Sequence, residues 1–246
     1  MLILLPPSET KRQGGTGRSL SLDLLRFPAL TEARRALTED VVALSADTDA
    51  AVAALKLGPK QRGEVEANRT LWESATLPAL DRYTGVLFDA LDAASLSDAA
   101  REFAGRHLVI HAALLGPVGA LDPIPAYRLS HDSRVPGRPL KRHWRALVET
   151  SLAAEPGLVL DLRSEAYVAL GPAPAGSHFL RVLTEGSGGA RRALNHFNKK
   201  AKGEFTRALL ETGAVFGTAD ELLDWAPTAG FRLERHDAGT ELALIV

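Results

Sequence analysis

The sequence predicts a single α+β domain over residues 1–246, with a mixed sheet surrounded by helices. Short apolar runs typical of buried strands alternate along the chain with stretches of helical period. No internal repeat, low-complexity linker or change of composition marks a boundary between two domains. With 246 residues and 46% hydrophobic side chains, the chain is large enough to bury one substantial core.

The strands are predicted from short apolar runs. MLILL at the start reads as a buried strand that Pro6 and Pro7 end, and the polar, Gly-rich SETKRQGGTGRS after it reads as a loop. Further strands are predicted at HLVIHAALL (107–115), LVLDLRS (158–164) and HFLRVLT (178–184). The last sixteen residues predict a hairpin that turns at Asp237–Gly239.

The helices are predicted from apolar residues that recur at helical spacing. The predicted helical stretches are 31–55, 64–80, 96–104, 139–154 and 195–210.

Composition excludes several kinds of chemistry. The chain has no cysteine, so disulfides, thiolate catalysis, cysteine-bound zinc, iron–sulfur clusters and peroxide sensing by a thiol are excluded. His107 and His111 are four residues apart without the glutamate of a zinc-protease helix, and no metal or cofactor is predicted. No apolar run reaches the ~18 residues of a membrane span, and the start lacks a basic signal region, so we expect a cytoplasmic protein without a membrane partner.

Positive charge is concentrated in two segments although the net charge is −1. Residues 134–145 contain five basic side chains and no acidic one, and residues 191–207 contain six basic side chains and one acidic one. The members of the two groups are Arg134, Arg138, Lys141, Arg142 and Arg145, and Arg191, Arg192, Lys199, Lys200, Lys202 and Arg207. Local clusters of this kind are candidate anion sites.

The helix NHFNKKAKGEF, from residue 195, carries the densest cluster. Its predicted core stripe is Phe197, Ala201, Phe205 and Leu209. Its predicted opposite face is Asn195, Lys199, Lys202 and Thr206. Glycine costs roughly 1 kcal/mol inside a helix, so Gly203 indicates a close approach by a neighbouring element or a ligand. We predict an anion site here, with a solvated basic face as the alternative.

Three short motifs bear on phosphate binding or nucleophilic catalysis. SETK lacks the partner motifs of penicillin-recognising enzymes, and GGTGRS lacks the glycine and lysine of a phosphate loop. LLGPVGALD, residues 114–122, has the Gly-x-x-Gly turn of a helix-hairpin-helix, in which backbone N–H groups hold a DNA phosphate. The alternative for this stretch is an ordinary tight turn.

Seven blocks of the chain together resemble the YaaA family of bacterial peroxide-stress proteins. The blocks are MLILLPPSETK (1–11), RYTGVLFDAL (82–91), HLVIHAALLGPVGALDPIPAYRL (107–129), LKRHW (140–144), VLDLRSEAY (159–167), NHFNKKAKG (195–203) and DWAPTAGFRL (224–233). The resemblance implies an α+β fold with a helix-hairpin-helix-like element and a basic cleft. It also implies double-stranded DNA binding and a role in limiting damage by peroxide and iron.

The resemblance also implies a set of DNA- or anion-binding residues. They are Lys11, Arg82, Tyr83, Gly116, Tyr127, Arg128, Lys141, Arg142, Lys199, Lys200 and Lys202. The hairpin departs from the family pattern, because Ala112–Gly116 has no aromatic residue and Gly119–Asp122 has no arginine. A divergent member could therefore keep the cleft and bind a different partner.

Two functions follow as hypotheses. The first is a DNA-binding stress protein whose contacts are mostly to phosphate. The second is an enzyme that acts on a small anionic, phosphorylated or nucleoside-like ligand in the same cleft. The catalytic candidates for the second are Lys11, Tyr127, Arg128, Lys199 and Lys202. An enclosed pocket at these residues favours the enzyme and an open groove favours DNA; the sequence leaves the oligomeric state open.

Overall fold

The structure is a computed structural model that describes residues 1–185, 191–192, 195–236 and 239–246, with the side chains of all these residues except 191–192 and 195–197. The strands of this part are Leu2–Leu5 (β1), Leu77–Pro78 (β2), Leu108–Ala112 (β3), Gly116–Gly119 (β4), Pro123–Ile124 (β5), Val159–Asp161 (β6), His178–Glu185 (β7), Arg191–Arg192 (β8), Arg232–His236 (β9) and Glu241–Ile245 (β10).

The α-helices are Thr31–Ser45 (α1), Thr48–Leu55 (α2), Val65–Arg69 (α3), Ala79–Arg82 (α4), Val86–Leu91 (α5), Asp98–His107 (α6), Leu140–Ala153 (α7), Glu165–Val168 (α8), Asn195–Thr212 (α9) and Ala219–Trp225 (α10). Short 3-10 turns lie at Leu22–Leu24, Pro28–Leu30, Pro59–Glu64, Ala93–Ser95 and Ala226–Ala229.

One mixed sheet organises the domain, in the order β4-β3-β1-β6-β7-β10-β9, with β8 beside the end of β7. The five central strands run parallel, and β4 and β9 are antiparallel edges. From β1 the chain passes first to β3 on one side and later to β6 on the other. Ligands of open parallel sheets bind at the carboxyl ends of strands where the order reverses in this way. The prediction of a compact α+β domain with a mixed sheet is confirmed.

Most of the predicted strands and helices are present in the structure. Where the observed bounds differ from the predicted ones, the cause is local. The predicted helix 31–55 is two helices, because the Asp47 side chain accepts from the N–H groups of Asp49 and Ala50 and starts α2. The predicted helix 64–80 is α-helical over α3 and again only at its last two residues, where α4 begins. The C-terminal hairpin is confirmed by the antiparallel pairing of β9 with β10. Two residues of its predicted turn, 237 and 238, lie outside the described residues.

The stretch expected to form a helix-hairpin-helix is a β hairpin. β3 and β4 pair from Val109 opposite Gly119 to Ala112 opposite Gly116. The Gly119 N–H, expected to be free for a phosphate, donates to Asp122 Oδ2 at 2.8 Å. The expectation is wrong for residues 114–122, because the apolar run before the turn extends along β1 as a parallel strand instead of coiling.

Helix α9 is buried on more sides than its sequence predicts. Phe205 and Leu209 lie in the core as expected, but Lys202 and Thr206, predicted on the opposite face, are also buried. The reason is that α9 packs against α5 and α6 as well as β7. Gly203 faces α5 so closely that an added Cβ would lie 2.2 Å from the Leu87 carbonyl oxygen, which confirms the predicted close approach by a neighbouring element.

Among the described residues, no helix combines the length and the apolar character that a membrane span requires.

Gly203→Ala tests the contact between α5 and α9. Alanine gains ~1 kcal/mol of helix propensity, but its Cβ overlaps a backbone oxygen that cannot turn away. We expect the overlap to win and the free energy of unfolding in urea to fall by roughly 1–3 kcal/mol. Gly63→Ala is the control, because nothing lies within 4 Å of its added Cβ. Equal stability of the two variants would contradict the close approach.

Candidate functional site

The candidate site begins at Lys11, which follows the carboxyl end of β1. Lys11 pairs with Tyr83 in an antiparallel bridge. Two backbone hydrogen bonds, of 2.8 and 3.2 Å, join residues 10–12 to residues 82–84 on either side of the bridge. Because Tyr83 directly follows α4, the bridge fixes Lys11 against a short helix instead of leaving it in a free loop.

The Lys11 ammonium group lies among carbonyl oxygens and aromatic rings. Its Nζ donates to the Ser8 carbonyl at 3.0 Å and to the Glu9 carbonyl at 3.3 Å. The same atom lies 4.1 Å from the centre of the Tyr127 ring and 5.3 Å from that of Tyr83. The group therefore has few water neighbours although the residue as a whole is only half-buried.

These surroundings lower the pKa of Lys11 to about 7, chiefly because burial disfavours the charged form and next because Arg128 lies nearby. The Glu9 and Glu64 carboxylates act in the opposite direction and raise this pKa. An unperturbed lysine has a pKa near 10.4. Near neutral pH, Lys11 is therefore present in both its protonated and its neutral form.

Two tyrosines flank Lys11 and hydrogen-bond each other. The hydroxyl groups of Tyr83 and Tyr127 are 2.9 Å apart, and both side chains are buried. Burial raises the pKa of each phenol above its usual range. Both tyrosines therefore keep their protons at neutral pH and form a hydroxyl pair beside the amine.

Arg128 is fixed within the cluster by two carboxylates and one amide. Its guanidinium group lies 2.9 Å from Glu9 Oε2 and 3.1 Å from Glu64 Oε2. Buried Asn68 donates to the Arg128 carbonyl at 2.7 Å and accepts from its N–H at 2.8 Å. An anionic ligand at Arg128 would thus have to displace one of these two carboxylates.

Arg82 has a structural role. Its fully buried guanidinium group donates to the carbonyl oxygens of Gly14, Ala75 and Ile124, and also to that of Arg12. These bonds hold the Gly-rich loop after Lys11 against its neighbours. Arg82 shapes the site but does not offer its charge to a ligand.

A buried ion pair lies at the carboxyl ends of the central strands. Arg163, two residues after β6, binds both carboxylate oxygens of Asp161, with contacts of 2.8 and 2.6 Å. Arg163 Nη1 also lies 2.8 Å from Nδ1 of His111 on β3 and donates to the Gly171 carbonyl at 2.9 Å. Since β1 lies between β3 and β6, the Arg163–His111 contact spans the end of β1.

The contact with Arg163 determines the protonation of His111. An arginine can only donate, so Nδ1 of His111 accepts and its proton lies on Nε2. Burial and the Arg163 charge lower the His111 pKa well below its ordinary value. Nε2 is buried without a hydrogen-bond partner among the described residues. The ring lies 6.0 Å from the Tyr167 ring, centre to centre.

Lys202 lies at the end of β6, apart from the other lysines of α9. Its Nζ donates to the Leu162 carbonyl at 2.9 Å and lies 5.4 Å from the centre of the Phe179 ring. Burial lowers its pKa to about 8, against the opposing effect of Asp161. Lys202 thus satisfies a buried carbonyl, and the prediction that it shares a surface with Lys199 is wrong because α9 turns it inward.

The remaining predicted binding residues lie outside this cluster. Lys199 and Lys200 are exposed on α9, and Lys200 pairs with Glu204 at 3.3 Å. Lys141 and Arg142 are exposed on α7. Gly116 has a packing role, because an added Cβ would lie 3.1 Å from the Trp144 ring.

The predicted basic residues therefore do not assemble one open basic cleft within the described part of the chain. Arg82, Arg128 and Lys202 are buried and bound by protein groups, so their charges are not presented to solvent. Those that remain exposed are divided between two helices.

Lys11, Tyr83, Tyr127 and Arg128 together form what we call the Lys11 cluster. A surface pocket of about 370 Å³ opens beside it. Its lining includes Gln13, two residues after Lys11, and Ala126, which precedes Tyr127. It also includes Glu64, the partner of Arg128, and Glu66. No lysine or arginine belongs to the lining that the structure describes, so the charged side chains of this lining are both acidic.

Sequence reasoning missed several residues of the site. Glu9 and Glu64 neutralise Arg128, but nothing in the sequence links them to it. Asn68 has no sequence signal, because it is one polar residue in a predicted helix. Arg163 and Tyr167 could have been predicted as site residues, because both lie within VLDLRSEAY, one of the blocks that resemble the family.

The fold and site define the class of protein: a mixed-sheet α+β domain with a polar, partly buried cluster at the carboxyl ends of its parallel strands. Within the described residues, no group of three or more His, Asp or Glu side chains is placed to hold a metal ion.

The family model described as peroxide stress protein YaaA matches residues 1–237, and the chain belongs to this family. It is also 40% identical to a UPF0246 protein of Corynebacterium glutamicum over 251 aligned positions, which cover all of both chains. A UPF0246 protein of Streptomyces coelicolor is 42% identical over 95% of this chain and 92% of its own. A UPF0246 protein of Streptococcus pneumoniae is 29% identical over 54% of this chain and 56% of its own.

His111 gives a pH-dependent prediction. The unfolded chain binds a proton at this histidine below about pH 6.5, whereas the folded chain resists it, so stability falls as the pH decreases below that value. We expect His111→Gln to reduce this loss by at most roughly 1.4 kcal/mol per pH unit, measured by urea unfolding between about pH 7 and about pH 5.5.

Nitrogen NMR of the wild type provides a direct check on the same residue. We expect the His111 ring to remain the neutral Nε2–H form across this range. A ring that titrates near its ordinary value would contradict the contact with Arg163.

Proposed function

We propose that this protein is an enzyme of the peroxide stress response, and that Lys11 is the catalytic base or nucleophile. The family description supports the link to peroxide stress. The observation that carries the enzymatic part is the placement of Lys11 Nζ between two carbonyl oxygens and the Tyr127 ring. The proposed substrate is a small polar molecule that enters from the adjoining pocket.

The hydrogen bonds of Lys11 suit an amine that reacts as a base or nucleophile. A neutral amine has two N–H groups and one lone pair, and the Ser8 and Glu9 carbonyls accept the two hydrogens. The lone pair is then free to take a proton from a substrate or to attack an electrophilic carbon. A lysine with a pKa close to the working pH is an effective general base.

The neighbouring groups complete a proton-transfer site. The Tyr83–Tyr127 hydroxyl pair remains protonated and can donate a hydrogen bond to a developing oxyanion. Arg128 is already neutralised by Glu9 and Glu64, so it positions the cluster and does not clamp an anionic substrate.

The reactivity of Lys11 tests this proposal. We expect trace acetylation of the native protein, followed by mass spectrometry, to show Lys11 reactivity that rises with a midpoint near pH 7. The reactivity of an unperturbed lysine rises with a midpoint near pH 10.4. Exposed lysines of the same chain provide the internal reference. A Lys11 midpoint close to the unperturbed value, or no acetylation at any pH, would refute the role of Lys11.

Double-stranded DNA binding is the second candidate function. It is supported by the exposed positions of Lys199 and Lys200 on α9 and of Lys141 and Arg142 on α7. Such binding would use phosphate contacts at a surface patch, so its affinity would decrease steeply with salt. It would not involve Arg82, Arg128 or Lys202, which are buried and whose polar groups are already engaged.

Two variants separate the candidates. Under the enzyme proposal, Lys11→Met abolishes the peroxide survival that the wild type restores to a bacterium lacking its own family member, and Lys199→Ala/Lys200→Ala has little effect. If the protein functions by binding DNA, Lys199→Ala/Lys200→Ala weakens duplex binding in fluorescence anisotropy and reduces survival. Lys60→Ala, which replaces another exposed lysine, is the control and should change neither duplex binding nor survival. Survival that depends on Lys199 and Lys200 but not on Lys11 would overturn the enzyme proposal.

A further inference from the structure

We propose that the pocket beside Lys11 binds a small, flat ligand through the ligand's own hydrogen-bond donors, such as an amidine, an amine or an aminated ring, and does not bind an anion. This inference rests on the proposed function of Lys11 and specifies the chemical class of the substrate. It concerns the volume of about 370 Å³ between the Gly-rich loop and the segment around α3.

The pocket is lined by sequence neighbours and an ion-pair partner of the residues around the proposed reactive group, and Lys11 itself is not part of the lining. Glu64 lines the pocket, forms a 3.1 Å ion pair with Arg128 and acts electrostatically on Lys11. Gln13 lines it two residues beyond Lys11, and Ala126 lines it next to Tyr127. A ligand held at Glu64 therefore lies beside the cluster that contains the amine and the tyrosine pair.

The lining chemistry favours hydrogen-bond donors on the ligand. Glu64 and Glu66 line the pocket, and their carboxylates pair with Arg128 at 3.1 Å and with Arg69 at 2.8 Å. An ionised carboxylate can accept several hydrogen bonds, so each still has acceptor capacity for a ligand. The hydroxyl groups of Thr70 and Ser74 are 2.9 Å apart, and either can accept a further bond. An anion would meet these two carboxylates, and the arginines that pair with them, Arg128 and Arg69, are not part of the described lining. The lining therefore offers an anion less compensation for its desolvation than it offers a hydrogen-bond donor.

The walls favour a flat ligand. The lining also contains Gly14, Gly63, Ala67, Ala75 and Ala126, whose side chains extend no further than Cβ. A planar ring can lie against such a surface without displacing a long side chain. Pockets that bind small molecules combine a broad surface for packing with a few converging polar groups, and this pocket has both features.

Lys11 provides a signature that distinguishes ligand charges. A cation held at Glu64 disfavours the protonated form of Lys11, so binding and loss of the Lys11 proton favour each other. The affinity of a cation must then rise as the pH increases through about 7, the pKa of Lys11. An anion has the opposite linkage, and its affinity must fall over the same range.

Benzamidine and benzoate are a matched pair for the test, because they share one size and flat shape and carry opposite charges. Saturation-transfer NMR and calorimetry on the full chain, from about pH 6 to about pH 8, measure their binding at millimolar concentration. We expect benzamidine to bind and its affinity to increase with pH. We expect benzoate not to bind.

Charge-neutral variants locate the binding. Glu64→Gln should weaken benzamidine about tenfold or more, and Glu66→Gln provides a second variant of the lining in case the first disturbs Arg128. Glu73→Gln is the matched control, since Glu73 is exposed in the same part of the chain and lies outside the lining. Binding that is equal in all three variants, preferential binding of benzoate, or binding of neither probe would overturn the inference.

Failure of this inference can be told apart from failure of the proposed function. Lys11 acetylation with a midpoint near neutral pH, together with no benzamidine binding, would remove only the ligand class. Benzamidine binding that depends on Glu64 but not on pH would keep the pocket and remove the neutral-pH role of Lys11. Protection of Lys11 from acetylation by benzamidine would support both.

Discussion

The charge of Arg163 constrains the whole functional end of the molecule. Its guanidinium group is buried where β1, β3 and β6 end, and burying an unpaired charge there would cost several kcal/mol. Asp161, the His111 ring and the Gly171 carbonyl together satisfy it. Because these partners come from separate elements, pairing one charge fixes the relative positions of two strands that flank β1. It also fixes the neutral form of His111.

The requirement that a buried charge be paired also determines where other basic side chains point. Arg34, Arg82, Arg128, Arg163 and Lys202 are all buried. Arg34, Arg82 and Lys202 donate to backbone carbonyls, whereas Arg128 and Arg163 pair mainly with carboxylates. Arg34, for example, donates to the Leu115 and Pro117 carbonyls of the β3–β4 hairpin. The basic side chains thus stabilise turns and strand ends from within. A segment rich in lysine and arginine therefore does not by itself make a basic surface in this protein.

Lys11 differs from these residues because its charge is only partly compensated. Burial acts against its protonated form, and the carboxylates of Glu9 and Glu64 do not restore the ordinary pKa. This balance leaves an amine that changes protonation near neutral pH beside a pocket with acidic walls. Peroxide stress proteins that sense oxidants directly commonly use a thiol, and this chain has none. The contribution that we propose for this chain, a reaction on a small molecule at Lys11, does not require a thiol.

The sequence by itself determined the fold class, the positions of most strands and of the long helices, and the family. These depend on the period and length of apolar runs, which are local properties of the chain. The blocks that resemble the family also contain Lys11, Tyr83, Tyr127 and Arg128, which lie close together in the structure. Only the tertiary structure decided that Lys202 points inward, that β3 and β4 form a β hairpin and that Glu9 and Glu64 neutralise Arg128. Each of these depends on groups that are distant in sequence. The hairpin depends on the pairing of β3 with β1, and the charges of Lys202 and Arg128 depend on the groups that exclude or replace the water around them.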